Sequence, residues 1–356
     1  MSMLRKLFIV LKVKFSKPVT ASSEVDSKTE SVIFLPDIAY EKPDGTIIAG
    51  IQAWVYQTGK RRFLEHILKF FLKIDKKALT ASQQEQLDAR MRLFGVNSAS
   101  GKKLIITNDA GHVLQMPETG KNGRSEMLAP IHLPDREHIS NINFQVAGDD
   151  ICCDDANVTA IYAPSKGWSI ISDIDDTIKV SSVGNKKKLL INTFLEDFVA
   201  VENMAAFYRN MNRAGDIAYH YVSSSPVELY PLLKEFLLST GYPVGSIHLR
   251  EATNWKNIIS FSKISKKHKY TNIKRILQAY PQRSFLLIGD SSENDAEIYA
   301  DFKQNFPNQV IAIIIRNVTP DIPIAEICRP FSNLDKSDWI VTHSVDEMKK
   351  FVASIN

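Results

Sequence analysis

Cysteine is scarce in this sequence. Only three cysteines occur among 356 residues, Cys152 and Cys153 side by side and Cys328 far from both. None has the spacing of a metal-binding motif, and the pattern argues against the disulfide framework of a small secreted domain. We therefore expect no cysteine-held zinc site. A reducing compartment fits best, and the cytoplasm is the predicted location.

Long apolar runs and a large excess of one charge are lacking as well. No run approaches the roughly 18 residues that a membrane-spanning helix needs. Lys12 and Lys14 interrupt the apolar stretch near the N-terminus, and no small-residue cleavage site follows. We interpret residues 1–30 as a basic and apolar segment with a polar linker, neither secretory signal nor membrane span. The formal charge of +4 does not predict a nucleic-acid partner.

The two halves of the chain differ in their pattern of strand, helix and turn signals. At about 150 residues per domain, a chain of this length is expected to form two domains. Residues 31–165 carry short strand patterns rich in Val and Ile, separated by turn signals. We predict a β-rich, sandwich-like domain there, interrupted by a helical segment over 60–90. Residues 166–356 alternate continuous apolar strands with amphipathic helices, which is typical of a parallel sheet covered on both faces. We predict a doubly wound α/β domain over 166–356.

Polar side chains follow the strands of this second half. In chain order they are Asp173, Asp175, Asp176, Ser223, Ser224, Lys269 (at the start of a helix), Asp290 and Asp295. In sheets of this kind the chemistry sits at the carboxyl ends of the strands. We therefore expect carboxylates, a hydroxyl and an ammonium group to meet at one sheet edge.

This combination of groups favours phosphoryl transfer. Crowded carboxylates repel one another unless a hard cation such as Mg²⁺ lies among them. One carboxylate can attack phosphorus and form an aspartyl-phosphate. The second acid of a D-x-D pair lies on the same side of an extended chain and can protonate the leaving oxygen. The serine and the lysine can hold the phosphate oxygens as negative charge redistributes.

The four motifs, in this order, resemble the haloacid dehalogenase superfamily of phosphohydrolases. The resemblance implies a haloacid-dehalogenase-like Rossmannoid parallel sheet, with Asp173 as the nucleophile and Asp175 as the general acid. It implies that Asp173, the backbone carbonyl of Asp175, and Asp290 hold Mg²⁺. It also implies that Ser223 hydrogen-bonds the phosphoryl group and that Lys269 neutralises it.

Three further residues have lesser roles in this interpretation. Asp295 would be a partner of the metal site or of Lys269. Ser224 stays an alternative to Ser223, because three serines are consecutive. Asp176 is interpreted as a turn acid that does not bind the metal.

Residues 166–350 resemble more closely the catalytic domain of the actin-patch-associated phosphatidate phosphatases, which also carry a β-rich region ahead of it. The resemblance rests on Ser172–Val180 (SDIDDTIKV), Tyr221–Pro226 (YVSSSP), Leu229-Tyr230-Pro231, Leu249-Arg250, His268-Lys269, and Gly289–Ser291 with Glu297–Tyr299. It implies Mg²⁺-dependent conversion of phosphatidate to diacylglycerol. Partners in the cortical cytoskeleton are implied by the resemblance alone. The chain departs from the family at Glu202-Asn203, Ser292 and Ala296, and none of these departures removes a reacting group.

The spacing of the motifs leaves little room for an inserted cap domain. About 50 residues separate Asp173 from Ser223, and about 46 separate Ser223 from Lys269. An open site suits a lipid in a bilayer or a phosphoprotein. The basic segments Lys60–Lys77 and Lys263–Arg275 would attract an anionic membrane surface. For Lys60–Lys77, a helix packed on the β-rich domain with a solvated basic face is an equal alternative.

We therefore predict a Mg²⁺-dependent phosphatidate phosphatase that works at membranes from the cytoplasm. Two alternatives stay open. One is a cap-less phosphatase of phosphoproteins or soluble phosphomonoesters, and the other is a lipid-binding adaptor that has lost catalysis. The complete set of candidate catalytic residues argues against the adaptor.

Overall fold

A computed structural model describes residues 23–26, 29–57, 79–108, 111–131, 137–146, 157–212, 216–251 and 263–355. The N-terminal segment 1–20, the basic segment 60–77 and the pair Cys152-Cys153 lie outside these residues, so their assignments stay predictions. The helical segment expected over 60–90 is described from residue 79 onward. A helix, α1 (Ala81–Phe94), begins there with a reciprocal cap between Thr80 and Gln83.

Strands make up most of the described part of the first region. They are β1 (Ser23–Glu24), β2 (Glu30–Leu35), β3 (Asp37–Glu41), β4 (Ile47–Gln57), β5 (Asn97–Ser98), β6 (Lys102–Lys103), β7 (Ile105–Asn108), β8 (Val113–Gln115), β9 (Arg124–Ile131), β10 (Ser140–Val146) and β11 (Asn157–Tyr162). Nine of them form one sheet in the order β2-β4-β3-β11-β10-β7-β8, with β5 and β9 also paired to β4, while β1 pairs with β6. The region is β-rich, and its arrangement as a sandwich stays a prediction.

The second region contains a six-stranded sheet. Its strands are β12 (Lys166–Ser172), β13 (Ile217–Pro226), β14 (Ser246–Arg250), β15 (Gln282–Asp290), β16 (Val310–Arg316) and β17 (Trp339–Thr342). Their order is β14-β13-β12-β15-β16-β17, and every pair is parallel. The chain is therefore a mixed α/β protein with a parallel sheet, as the strand and helix pattern predicted.

Helices accompany these parallel strands. They are α2 (Lys186–Phe194), α3 (Met204–Met211), α4 (Tyr230–Thr240), α5 (Lys263–Ala279), α6 (Asp295–Asn305), α7 (Ile324–Cys328) and α8 (Val345–Ser354), with 3-10 turns at Val227–Leu229, Arg329–Phe331 and Lys336–Asp338. Among the described residues, no helix is both long and apolar enough to span a membrane.

The parallel sheet is buried on both faces, which explains its continuous apolar strands. Ile170 and Ile288 belong to one core cluster, and their neighbours Ile171 and Leu287 belong to a second. The strand order reverses between β12 and β15, because β13 and β14 lie on one side of β12 while β16 and β17 lie beyond β15. Ligands of such sheets bind outside the carboxyl ends of the strands at this reversal.

Polar contacts join the two regions. Asp37 of β3 is buried, and its Oδ2 lies 2.5 Å from Nη2 of Arg275 on α5. Tyr280 Oη donates to the Ala39 carbonyl at 2.8 Å. Gly50 of β4 leaves room for this contact, since a Cβ there would lie 2.5 Å from Asp37 Oδ2. The first region therefore supports α5, the helix that carries Lys269.

Candidate active site

The carboxyl end of the central strand β12 holds Asp173. Its backbone N–H donates to the Ile288 carbonyl of β15 at 2.9 Å, which fixes the residue at the point where the strand order reverses. The side chain is buried, and Thr177 Oγ1 donates to Asp173 Oδ2 at 3.3 Å. The predicted nucleophile thus lies at the edge of the sheet where ligands of this architecture bind.

Lys269 reaches this carboxylate from α5. Its Nζ lies 2.9 Å from Asp173 Oδ1, 2.6 Å from Asp295 Oδ1 and 2.6 Å from Glu293 Oε2. Burial by itself would lower the pKa of Lys269, but the three carboxylates raise it well above its usual value. Lys269 is therefore an ammonium ion in the folded protein. The sequence left Asp295 as a partner of the metal site or of Lys269, and the structure places its Oδ1 in contact with Lys269.

Asp290 ends strand β15 beside Asp173. Its Oδ1 accepts a hydrogen bond from Ser292 N at 2.6 Å and a second one from Ser292 Oγ. The Ser292 hydroxyl thus adds a side-chain donor to the backbone donor at this oxygen. The other oxygen, Asp290 Oδ2, is buried without a hydrogen-bond partner among the described residues.

Three buried carboxylates offer a place for a hard cation. One oxygen each from Asp173, Asp290 and Asp295 lies within 4.8 Å of the others. Burial raises the pKa values of Asp173 and Asp290 well above the usual range, and neighbouring carboxylates, with Asp295 the strongest, raise them further. Oxygen donors of this kind, with one oxygen left unpartnered, fit Mg²⁺ in their chemistry.

Asp175 lies in a different environment from Asp173. Its Oδ1 contacts Lys179 Nζ at 2.8 Å and Ser181 Oγ at 2.7 Å. Its Oδ2 accepts from Ser223 Oγ at 3.1 Å and from Ser225 Oγ at 2.6 Å. Burial would raise the pKa of Asp175, but Lys179 and the hydroxyl donors hold it well below its usual value. Asp175 is therefore ionised and held by four donors.

Asp176 is a loop acid that does not join the carboxylate cluster. It adopts a left-handed φ of 57°, and its carboxylate accepts from the backbone N–H groups of Ser181, Ser182 and Val183 at 2.6–2.8 Å. These bonds close the loop after β12 around the acid. The structure agrees with its interpretation as a turn residue.

The three consecutive serines end β13 with their hydroxyls in different contacts. Ser223 and Ser225 donate to Asp175, as above, while Ser224 Oγ donates to Glu293 Oε2 at 3.0 Å. All three serines are buried at the carboxyl edge of the sheet. Ser223 Oγ also accepts from Ser225 N at 2.9 Å, so the strand end is tightly hydrogen-bonded.

Sequence reasoning missed four residues of this site: Lys179, Ser181, Ser225 and Glu293. Lys179 and Ser181 lie in the same loop as the D-x-D pair, only four and six residues after Asp175. Glu293 lies between Asp290 and Asp295, the two acids that were identified. Their closeness in sequence to the recognised motifs was the only signal for these four residues. Lys, Ser and Glu are common in loops, however, and only the fold shows which of them point into the site.

Known proteins resemble the second half of the chain. Residues 168–317 match the family model described as "Phosphatidate phosphatase APP1, catalytic domain". The Saccharomyces cerevisiae protein "Phosphatidate phosphatase APP1" is 35% identical over 171 residues, which are 46% of this chain and 29% of that protein. An uncharacterized protein of Schizosaccharomyces pombe is 33% identical over 160 residues, 44% of this chain and 26% of that protein.

The chain thus spans less than a third of the length of these two relatives. Among solved structures, a carbohydrate esterase aligns with 81% of this chain and 87% of its own, at 10% identity and a TM-score of 0.21. A likeness at that level does not inform the fold or the activity.

Proposed function

We propose that the protein is a Mg²⁺-dependent phosphatidate phosphatase, since residues 168–317 match the family model of the phosphatidate phosphatase APP1 catalytic domain. Hydrolysis would yield diacylglycerol and phosphate through an aspartyl-phosphate. The observation that carries the proposal is the position of Asp173, with Lys269 at 2.9 Å and the unpartnered Asp290 oxygen close by. A haloacid-dehalogenase-like Rossmannoid sheet behind a β-sandwich is part of the same proposal.

The first chemical step uses the two acids of the D-x-D pair. A carboxylate oxygen of Asp173 attacks phosphorus and forms the new O–P bond, while the bond from phosphorus to the diacylglycerol oxygen breaks. That oxygen takes a proton from Asp175. In the second step water attacks phosphorus, Asp175 takes a proton from the water, and phosphate leaves with Asp173 restored.

The donors around Asp175 matter for this sequence. Four donors keep Asp175 ionised without substrate, whereas the first step needs a protonated acid. A phosphate dianion competes for the same hydroxyl donors, so its binding would free Asp175 to take up a proton. Ser223, or Ser224 beside it, and Lys269 would then hold the phosphoryl oxygens.

Asp173, Asp290 and the backbone carbonyl of Asp175 are the proposed ligands of Mg²⁺. When bound, the ion supplies positive charge that keeps the carboxylates ionised and stabilises the phosphoryl oxygens. Asp295 would stay with Lys269 and orient its ammonium group. Lys269 would then keep Asp295 and Glu293 as partners while Asp173 holds the ion.

The test is release of phosphate from phosphatidate in mixed micelles, run beside a panel of soluble phosphomonoesters. Activity on phosphatidate should be lost in excess chelator and return with Mg²⁺. Asp321→Asn, at an exposed acid far along the chain, is the matched control for Asp173→Asn. Preference for a phosphopeptide or a soluble ester would identify the cap-less alternative phosphatase. Phosphatidate binding without phosphate release would identify the adaptor.

We further propose peripheral association with anionic membranes from the cytoplasm, supported by the basic composition of Lys60–Lys77 and Lys263–Arg275. Each Lys or Arg near such a surface contributes about 1 kcal/mol to binding. Changing Lys60, Arg61 and Arg62 to Gln should weaken sedimentation with anionic vesicles and spare hydrolysis of a short-chain soluble phosphatidate. Vesicle binding that does not respond to salt would contradict this proposal. Cortical-cytoskeleton partners are proposed from family resemblance alone.

A further inference from the structure

A short series of contacts connects helix α1 of the first region with Asp175. Lys179 Nζ, which holds Asp175 at 2.8 Å, also lies over the Phe198 ring, 4.6 Å from its centroid. The guanidinium of Arg90, on α1, lies over the same ring with its Cζ at 4.9 Å. Both distances are in the range of favourable cation–π contacts. One aromatic ring thus contacts a cation of the catalytic loop and a cation of the first region.

The position of Phe198 is fixed on the side of α1. Arg90 Nη1 donates to the Thr193 carbonyl at 3.0 Å and to the Glu196 carbonyl at 2.5 Å. Arg90 is buried, so these bonds form out of contact with bulk water. Phe198 also packs edge-on against Phe236 of α4, with ring centroids 6.3 Å apart. The ring therefore has little freedom to move away from Lys179.

The backbone of Lys179 is fixed by the same segment. Val180 N donates to the Val199 carbonyl at 2.8 Å, and Val201 N donates to the Ile178 carbonyl at 2.9 Å. The Lys179 side chain is only 3% exposed. A buried ammonium group is costly unless it is paired, and here Asp175, Ser181 and the Phe198 ring surround it. Any displacement of residues 198–201 would move Lys179 with it.

We propose that Arg90, Phe198 and Lys179 form a positioning chain that fixes the Asp175 carboxylate, so that the first region is part of the catalytic unit. The inference rests on the proposed phosphatase function, in which Asp175 is the acid. Of the four donors to Asp175, Ser223 and Ser225 come from β13, whereas Lys179 and Ser181 come from the loop. The positioning chain holds the loop that supplies Lys179 and Ser181.

The experiment compares Phe198→Leu, which keeps an apolar side chain but removes the ring, with Phe198→Tyr, which keeps the ring. Displacement of a catalytic group by about 1 Å can cost on the order of 100-fold in rate. We expect Phe198→Leu to lower kcat on short-chain soluble phosphatidate by about 10- to 100-fold with KM nearly unchanged. Phe198→Tyr should keep the wild-type kcat.

A double variant tests whether Arg90 acts through the ring. Arg90→Met alone should lower kcat, and its further effect in the Phe198→Leu background should be clearly smaller, because the contact with the ring is already gone while only the bonds to the Thr193 and Glu196 carbonyls remain to be lost. Gln86→Ala is the matched control, since Gln86 reaches the neighbouring Asp197 and not the ring. Simple additivity of the two kcat losses would overturn the proposal, as would an equal loss in Gln86→Ala.

Hydrogen exchange gives a readout that does not depend on activity. In Phe198→Leu the amides of Val180 and Val201 should exchange faster, while amides of β15 keep their protection. If wild-type protein does not hydrolyse phosphatidate, the proposed function fails and exchange still tests the positioning chain. Unchanged hydrogen exchange in Phe198→Leu would overturn the proposed positioning chain, whichever substrate the protein hydrolyses. If Arg90→Met fails to fold, Arg90→Lys takes its place, with a smaller loss of kcat expected.

Discussion

Asp173 and Asp175 are two residues apart, yet their surroundings differ in kind. Asp175 accepts from an ammonium group and three hydroxyls. Asp173 shares a single ammonium group, that of Lys269, with two further acids, and Asp290 beside it keeps one oxygen without a partner among the described residues. One cluster is electrostatically satisfied and the other has an excess of negative charge.

The contrast separates two uses of a carboxylate. An acid that must be oriented benefits from several donors, because each one restricts its rotation. An acid that must bind a cation needs an oxygen that is open to it, and among the described residues Asp290 Oδ2 is buried without a hydrogen-bond partner. The fold produces both within one loop by turning hydroxyls of β13 towards Asp175 and the acids of β15 and α6 towards Asp173.

The largest effect is expected at Asp173, the proposed nucleophile. Asp173→Asn should reduce turnover by several orders of magnitude, since an amide cannot form the aspartyl-phosphate. The variant should fold, because Asn fills the same volume and Lys269 keeps two carboxylate partners. Phosphate release and circular dichroism check the two parts. Near-wild-type turnover in a pure, folded sample would contradict the proposed role of Asp173.

Asp290→Asn tests whether excess negative charge marks a cation site. The Mg²⁺ concentration for half-maximal activity should rise by at least the roughly 10- to 100-fold that follows loss of a partner of a metal ligand. In wild type, Mg²⁺ should also raise the melting temperature, since it binds the folded state. A variant that keeps the wild-type Mg²⁺ response would show that Asp290 is not a ligand.

The contributions of Asp290 and Asp175 to stability should depend on pH in opposite directions. In chelator, the raised pKa of Asp290 means that the folded state binds the extra proton, so its stability falls as pH rises from 3.8 through the raised value. The unfolding free energy of wild type should therefore rise relative to that of Asp290→Asn as the pH is lowered through the raised pKa towards 3.8, by up to about 1.4 kcal/mol per pH unit. Asp175 behaves oppositely, and its contribution is lost only below 3.8. Added Mg²⁺ should remove the dependence at Asp290, and a pH-independent difference in chelator would contradict the assignment.

The smallest effect is expected at Ser225, one of the four donors around Asp175. Ser225→Ala removes one hydrogen bond to an ionised acid and should lower the unfolding free energy by about 1–3 kcal/mol. Because Ser181, Ser223 and Lys179 remain, turnover should fall only a few-fold. Denaturant unfolding and steady-state kinetics check both numbers. A loss of turnover as large as that of Asp173→Asn would show that Ser225 itself contacts the phosphoryl group.

Much of the site could be predicted because its residues end strands. Asp173, Ser223 and Asp290 follow continuous apolar runs, and parallel strands place such residues together. Lys269 required the family resemblance, since lysines at a helix start are common. Asn203 shows the opposite case: it adopts a left-handed φ of 63°, which asparagine tolerates, and no local pattern predicted it.

Contacts between distant segments could not be predicted. Arg90 lies at the end of the helical segment predicted over 60–90, and its role depends on two carbonyls more than 100 residues away. Glu293 and Lys179 are polar residues of loops, whose direction depends on the packing of neighbouring elements. Local patterns do not carry this information, because it arises only when the two regions meet.

The Asp37–Arg275 contact has a consequence for biosynthesis. The two residues are 238 positions apart in the chain, so at about 5–20 residues per second the ribosome needs roughly 10–50 s between them. During that interval the first region has emerged, but the carboxylate that it buries lacks its guanidinium partner. The final structure of strand β3 must therefore wait for helix α5. The contacts between β3 and α5 are therefore among the last that the nascent chain can form.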